Sequence, residues 1–148
     1  MRSRRIRPFA ARVLLGGALS VAACVSPNDL MDRKGSLEES QLRYTQLVRW
    51  GELEKASAYV DPELRDDFRS HAAAFETIRI TDYEIGDIAY DDGLASATVE
   101  VTYRGYVLTA LVERPIRETQ RWYREGGSNW LVRTEIGGVV DGVRGVSR

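Results

Sequence analysis

From residue 36 to residue 75 apolar side chains recur every three or four positions, and from 78 onward they recur every second position, so helices should come first and strands after them. Ser36-Leu37-Glu38-Glu39 has the form of a capping box, in which the serine hydroxyl takes the amide three residues on and Glu39 reaches back; it predicts the start of a first helix. Leu37, Tyr44, Leu47 and Val48 share one face of that helix, and Trp50-Gly51 ends it at a residue suited to a left-handed cap. A short second helix follows from Gly51 to Val60, with Leu53, Ala56, Tyr59 and Val60 on its apolar side. Asp61-Pro62 supplies an N-cap and a first-turn proline for a third, whose Leu64, Phe68, Ala72 and Phe75 predict an end near Ala74.

Ile78, Ile80, Tyr83, Ile85, Ile88 and Tyr90 then predict one strand, with a bulge near Gly86 accounting for the change of phase. Asp91-Asp92-Gly93 reads as a hairpin turn, and Ala95, Ala97, Val99, Val101 and Tyr103 alternate cleanly with polar residues as a half-buried strand. Residues 104–111 either lengthen that strand or form an irregular connection. Glu113 to Glu125 is a third strand whose Pro115 belongs at an edge or bulge; Gly126-Gly127-Ser128 turns the chain into a last strand, Asn129 to Ile136, with Trp122 and Trp130 flanking the turn. The Gly- and Val-rich tail, 137–148, is expected to fray. Helices followed by antiparallel hairpins make an α+β domain, with N-terminal helices packed against a curved antiparallel sheet.

Ahead of this domain lie two segments of another kind. Residues 24–35 carry turn formers and no apolar period, which predicts a flexible tether. Before it, Arg2, Arg4, Arg5, Arg7 and Arg12 precede the small and apolar run Val13 to Ala23, the pattern of a secretory signal peptide. That run is too short to span a bilayer, which takes about 20 apolar residues. The division is therefore 1–23 signal peptide, 24–35 tether, 36–136 folded domain and 137–148 tail, and 148 residues leave room for one domain only. The net charge is −1, but the five leading arginines carry +5, leaving −6 on the remainder, which argues against nucleic acid as a partner. Cys24 is the one cysteine and His71 the one histidine, so an internal disulfide and a zinc site of paired cysteines are excluded, and no motif calls for a cofactor.

Val21-Ala22-Ala23-Cys24, an aliphatic residue and two small ones before cysteine, resembles the lipobox of bacterial lipoprotein precursors. The resemblance implies cleavage between Ala23 and Cys24, diacylglycerol on the Cys24 thiol and acylation of the freed amine, a combination that anchors far more firmly than a single chain. It also implies a lipid anchor on the periplasmic face of the outer membrane, since Val25 and Ser26 replace the aspartate of inner-membrane retention. Ser3-Arg4-Arg5 partly matches a twin-arginine export signal, leaving the export route open. Within the domain, Arg49 to Ala56, Tyr59 to Arg65, Ala97 to Val101, Gln120 to Gly126 and Trp130 resemble small bacterial members of the nuclear-transport-factor-2-like (cystatin-like) superfamily, across about residues 36–136. That resemblance implies a cone with a cavity between helices and sheet, whose wall here would include Tyr44, Trp50, Tyr59, Phe68 and Trp122, although aromatics at such spacings also serve as plain core.

The superfamily holds isomerases and dehydratases as well as non-catalytic binding domains, so the resemblance transfers a cavity and not an activity. A catalytic member would need a buried carboxylate with a tyrosine or second acid beside it, for which the candidates are Asp61 with Tyr59, or Asp82 with Tyr83. Asp61 has a structural use as N-cap and Asp82 should face water, so no catalytic residue and no metal ligand is assigned. His71 stands alone, and Asp66-Asp67 and Asp91-Asp92 lack the oxygen spacing of a calcium loop. Arg117, Arg121 and Arg124, with Arg114 and Arg133 near them, could form a positive partner surface, or pair across strands with Glu113, Glu118, Glu125 and Glu135. The resulting expectation is a non-enzymatic, lipid-anchored envelope protein. Through Cys24 it would hold the membrane, and its domain would take an envelope protein or small apolar ligand, with pairing of two copies through the sheet open. The alternative is a small cavity enzyme of isomerase or dehydratase type acting on a hydrophobic or carbonyl compound.

Overall fold

The change of period near residue 75 is where the chain passes from helix to sheet. Helix α1 (Pro27–Arg49), helix α2 (Leu53–Ala56), two 3-10 turns (Ser57–Tyr59 and Pro62–Leu64), helix α3 (Arg65–Ser70) and helix α4 (Ala72–Phe75) lead into strands β1 (Ile78–Tyr90), β2 (Ser96–Val107), β3 (Arg114–Arg124) and β4 (Trp130–Arg133), and helix α5 (Ile136–Arg144) closes the domain. The computed structural model describes residues 27–124, 126 and 129–145; the signal-like segment, the Ala23-Cys24 junction and Glu125 lie outside the described residues.

Helix α1 runs nine residues ahead of the expected start, so 27–35 is helical and not part of a tether. Pro27 suits a first helical position, and the capping-box serine lies inside the helix, where its hydroxyl donates to the Arg33 carbonyl (3.0 Å) and accepts from Trp130 Nε1 (3.1 Å). The added turns are held against the β1–β2 hairpin, with Arg33 reaching the Gly93 carbonyl and the Lys34 ammonium 5.3 Å from the centre of the Tyr90 ring. The far end of α1 stops as expected. Gly51 takes φ +72°, its amide donates to Val48 and the Glu52 amide to Leu47, which is the Schellman arrangement. The two later helices are each broken into short pieces around the Asp61 and His71 positions.

The four strands form one antiparallel sheet in the order β1-β2-β3-β4. β1 is a single strand with register shifts between Ile80 and Asp82 and between Ile85 and Ile88. At the second, a Cβ on Gly86 would stand 3.0 Å from the Glu100 carbonyl oxygen, so only glycine lets the strands approach there. The open question at 104–111 resolves as strand through Val107 followed by a turn. β4 is short and pairs only with Arg121 to Arg124, so Pro115 lies on a stretch of β3 free of β4.

One face of the sheet buries Val99, Val101, Tyr103, Ile116 and Trp122 beneath the helices, Trp122 against α1 and Ile116 against the closing helix α5. Trp122 meets Tyr44 edge-on at 5.8 Å, and Tyr44 lies 6.1 Å from Phe68. A buried aromatic of this kind contributes about 3–5 kcal/mol relative to alanine. The expected frayed tail is instead helix α5, which buries Ile136, Val139, Val140 and Val143 and covers the part of β3 that β4 leaves open. Gly142 lets it dock closely, since a Cβ there would fall 2.7 Å from Ile116 Cγ2.

Candidate functional site

Alternation along β3 sends Ile116, Glu118, Gln120 and Trp122 inward and Arg117, Thr119 and Arg121 outward. Glu118 is therefore a carboxylate in the core, 3% exposed. Such a group is tolerated only when hydrogen bonds replace its water. Here Tyr44 Oη donates to Oε1 (3.1 Å), Tyr103 Oη to Oε2 (3.0 Å), Gln120 Nε2 to Oε2 (2.7 Å) and Thr134 Oγ1 to Oε1. Burial first, and then the Glu118 charge, pushes both phenols well above their ordinary range, so both remain protonated donors. The seam continues into α1, because Gln120 Oε1 accepts from Gln41 Nε2 and Trp122 Nε1, both at 3.2 Å, and Gln41 Nε2 also reaches Thr45 (3.1 Å).

Asp61 is the second buried acid, 1% exposed. Its Oδ1 accepts from the Glu63 amide (2.9 Å), the N-cap role expected of it, while Oδ2 accepts from Tyr123 Oη (2.8 Å) and Arg133 Nε (2.5 Å). Burial opposes its charge, but the bonds from Tyr123, the Glu63 amide and Arg133 outweigh burial and hold the carboxyl below its usual value. Its own amide donates to the Val132 carbonyl (2.9 Å) beside a parallel bridge between Val60 and Val132. The hydroxyl that Asp61 receives is that of Tyr123, not of Tyr59. Asp82 is exposed and accepts from the neighbouring Tyr83 amide.

A cleft of about 770 Å³ lies beside β3 where its pairing with β4 ends. Arg117, Glu118 and Arg121 of β3 line it together with Arg133 and Thr134, His71, and Gly137 in the first turn of α5. The His71 ring lies against Gly137, where a Cβ would stand 3.0 Å from Cε1, and its Nε2 is 3.9 Å from Asp67. Arg121 faces Arg133 directly across the β3–β4 pair. Among the described residues, neither Arg117 nor Arg121 has an ion pair or a side-chain hydrogen bond.

The residues expected to wall a cavity part company. Tyr44, Phe68 and Trp122 fill the space between helices and sheet with their own rings. Tyr59 borders a smaller hollow of about 330 Å³ with Pro62 and Trp130. Trp50 is 65% exposed, because it follows the last turn of α1 and stacks under the Arg49 guanidinium at 5.1 Å; it walls nothing. The expected arginine surface divides by parity. Arg117 and Arg121 share the outer face, whereas Arg124 lies half-buried over Trp130 at 5.7 Å. Cross-strand pairing with Glu118 does not occur, since that side chain points the other way; Glu113 bonds Thr81 instead. The buried seam was not anticipated, although Glu118 and Gln120 stand in phase with Ile116 and Trp122, the signal that would have found it.

No family model and no curated protein matches the chain. Among solved structures it is similar to a ketosteroid isomerase-like protein from Erwinia carotovora atroseptica SCRI1043, with TM-score 0.53 and 14% identity over 66% of this chain and 88% of that one. It is also similar to a SEC-C motif containing protein from Rhodopseudomonas palustris, with TM-score 0.51 and 19% identity over 74% of this chain and 77% of that one. Likeness at these identities carries fold and not activity. Helices laid on one face of a curved, four-stranded antiparallel sheet give the described residues the nuclear-transport-factor-2-like fold.

Proposed function

We propose that the chain is a cell-envelope lipoprotein, cleaved behind Ala23, acylated on Cys24 and held at the periplasmic face of an outer membrane, whose domain binds a ligand or an envelope protein and catalyses nothing. The anchor is supported by the arginine-rich start, the short apolar run and the lipobox-like Val21-Ala22-Ala23-Cys24. Pro27, the first described residue of α1, lies three positions after Cys24, which would keep the domain close to the bilayer. Among the described residues no helix is long and apolar enough to cross a membrane.

The observation that carries the binding reading is where the open space lies. The interior that an isomerase-type enzyme of this fold would keep open is filled by Tyr44, Phe68 and Trp122, and the larger cleft lies at the sheet edge beside Arg117 and Arg121, which have no ion pair among the described residues. A general base needs a lone pair free to face its substrate. Glu118 accepts two bonds on each oxygen, and Asp61, which accepts one on Oδ1 and two on Oδ2, is buried among those donors.

The test is the intact mass of the protein extracted gently from its native membrane, with its N-terminal peptide sequenced and non-covalent mass retained. A chain beginning at Cys24 with added acyl mass, carrying a stoichiometric small molecule or protein, is the expected result. An unmodified chain cut elsewhere would overturn the anchor, and turnover of a small carbonyl compound abolished by Asp61→Asn in a folded protein would overturn the non-catalytic reading.

A further inference from the structure

An antiparallel pair of strands places directly opposed side chains about 4.5–5.5 Å apart at Cβ, and like charges in that position repel. Arg121 and Arg133 are such a pair. Arg133 is balanced by Asp61 and, at 3.7 Å, by Glu63. Arg121 has no such balance among the described residues, and neither does Arg117 two positions along the same outward row. The carboxylate between them, Glu100 on β2, is drawn to the Thr119 hydroxyl at 2.6 Å. A guanidinium that faces its like across a strand, with no acid of its own, is a fork presented to something else.

What it presents to is an open cleft. The cleft is of the size that holds small ligands, and it gathers Arg117, Arg121 and Arg133 on one side with the first turn of α5 on the other. Glu135, at the start of that helix, makes no side-chain cap, so the turn adds its positive end to the same space. Three acids line the same cleft: Asp67 lies beside His71, Glu135 is exposed, and Glu118 is occupied by its four donors. Arg133 is matched by Asp61 and Glu63, which leaves Arg117 and Arg121 as the cleft's cations without an acid partner among the described residues.

We propose that this cleft is a binding site for a small soluble ligand carrying a phosphate or carboxylate group, held by Arg117 and Arg121 as the two free forks with Arg133 fixed beside them by Asp61. The site rests on the binding reading above and deepens it by giving the ligand its charge. It lies at the sheet edge, apart from the filled space between helices and sheet. The occupant is a free oxyanion and not a bilayer headgroup, because the arginines share a cleft of small-ligand size with His71 and Gly137.

The experiment titrates the full chain, purified in detergent, with inorganic phosphate and separately with citrate at low salt, following the amide resonances of Thr119, Gly137 and Gly138 by NMR. Saturable shifts confined to the cleft are expected. Arg121→Glu and Arg117→Glu should each weaken binding about tenfold or more. Arg121→Glu also places an acid opposite Arg133, so its thermal midpoint should hold or rise while binding falls, which a merely structural residue would not do. Absence of saturable shifts with either anion would overturn the site, as would shifts unchanged in the double variant. Vesicles of mixed phosphatidylglycerol and phosphatidylcholine form a third arm; adsorption that depends on both arginines without any soluble-anion shift would give the surface to the bilayer and overturn the proposal. A neutral molecule found in the membrane-extracted protein, together with no anion binding, would sink this inference and leave the binding reading standing.

Discussion

Glu118 and Arg117 are neighbours in sequence and opposites in circumstance. The acid points into the core and has every lone pair met by Tyr44, Tyr103, Gln120 or Thr134, while the arginine points out into a cleft and meets nothing among the described residues. A strand gives both outcomes because its side chains alternate, so the eleven residues of β3 can carry a structural seam on one face and a recognition surface on the other. The difference teaches where to look for function in this domain. A buried acid whose acceptor positions are all met by the fold is a stability element, and an exposed guanidinium that lines a cleft with no acid partner among the described residues is a candidate for binding.

If that division holds, the inner face should break first. Glu118→Leu removes one acceptor and strands four buried donors, each worth about 1–3 kcal/mol when unsatisfied, so a loss of about 4 kcal/mol or more is expected in urea unfolding. A loss below about 1 kcal/mol would mean that the seam is not what holds β3 to α1 and the comparison would fail. The next effect belongs to α5. Val143 is fully buried, and Val143→Ala should cost about 2 kcal/mol by the same measurement, whereas a frayed tail would register nothing.

How far these features could be read in advance follows the range of the interactions that make them. β1, with its bulge at Gly86, the Asp91-Asp92-Gly93 turn and β2 are written in local alternation and were legible. The capping box at Ser36 misled, because the same four residues sit inside a longer helix whose added turns are held by the distant β1–β2 hairpin. Helix α5 was hidden by its glycines at 137, 138 and 142, which argue for a loop while Ile136, Val139, Val140 and Val143 argue for an amphipathic helix; burial against β3 decided between them. Glu118 was in plain phase with its apolar neighbours, but the general expectation that glutamate faces water overrode the pattern. The cleft could not be read at all, since it joins His71, Arg117, Arg133 and Gly137 from elements that only the fold brings together.

Asp61 stands between the two faces, buried like Glu118 yet bonded to Arg133 of the cleft. Because the fold holds its carboxyl below the usual value of about 3.9, the native state binds that proton less readily than the unfolded chain does. Its contribution is therefore complete above the ordinary aspartate value and is lost as the pH falls through the lower, folded one. Asp61→Asn should flatten this acid-side loss of stability, with a cost at neutral pH of about 1 kcal/mol from the weakened cap and bridge. An unchanged acid limb in the variant would assign the pH dependence to other carboxylates.

The smallest expected effect is the most discriminating. Arg121 is exposed and without a partner among the described residues, and surface substitutions of that kind stay within about 0.5 kcal/mol. Arg121→Glu should therefore leave urea unfolding at wild-type stability or slightly above it, because the new acid faces Arg133. The gain is bounded by competition, since Arg133 already spends its guanidinium on Asp61 and Glu63. Set beside Glu118→Leu, three residues away on the same strand, the two substitutions should differ by about 4 kcal/mol or more in stability. If Arg121→Glu instead destabilised the domain by about 2 kcal/mol, the outer row of β3 would be part of what holds the sheet together, and the reading of that row as a surface kept free for recognition would lose its physical basis.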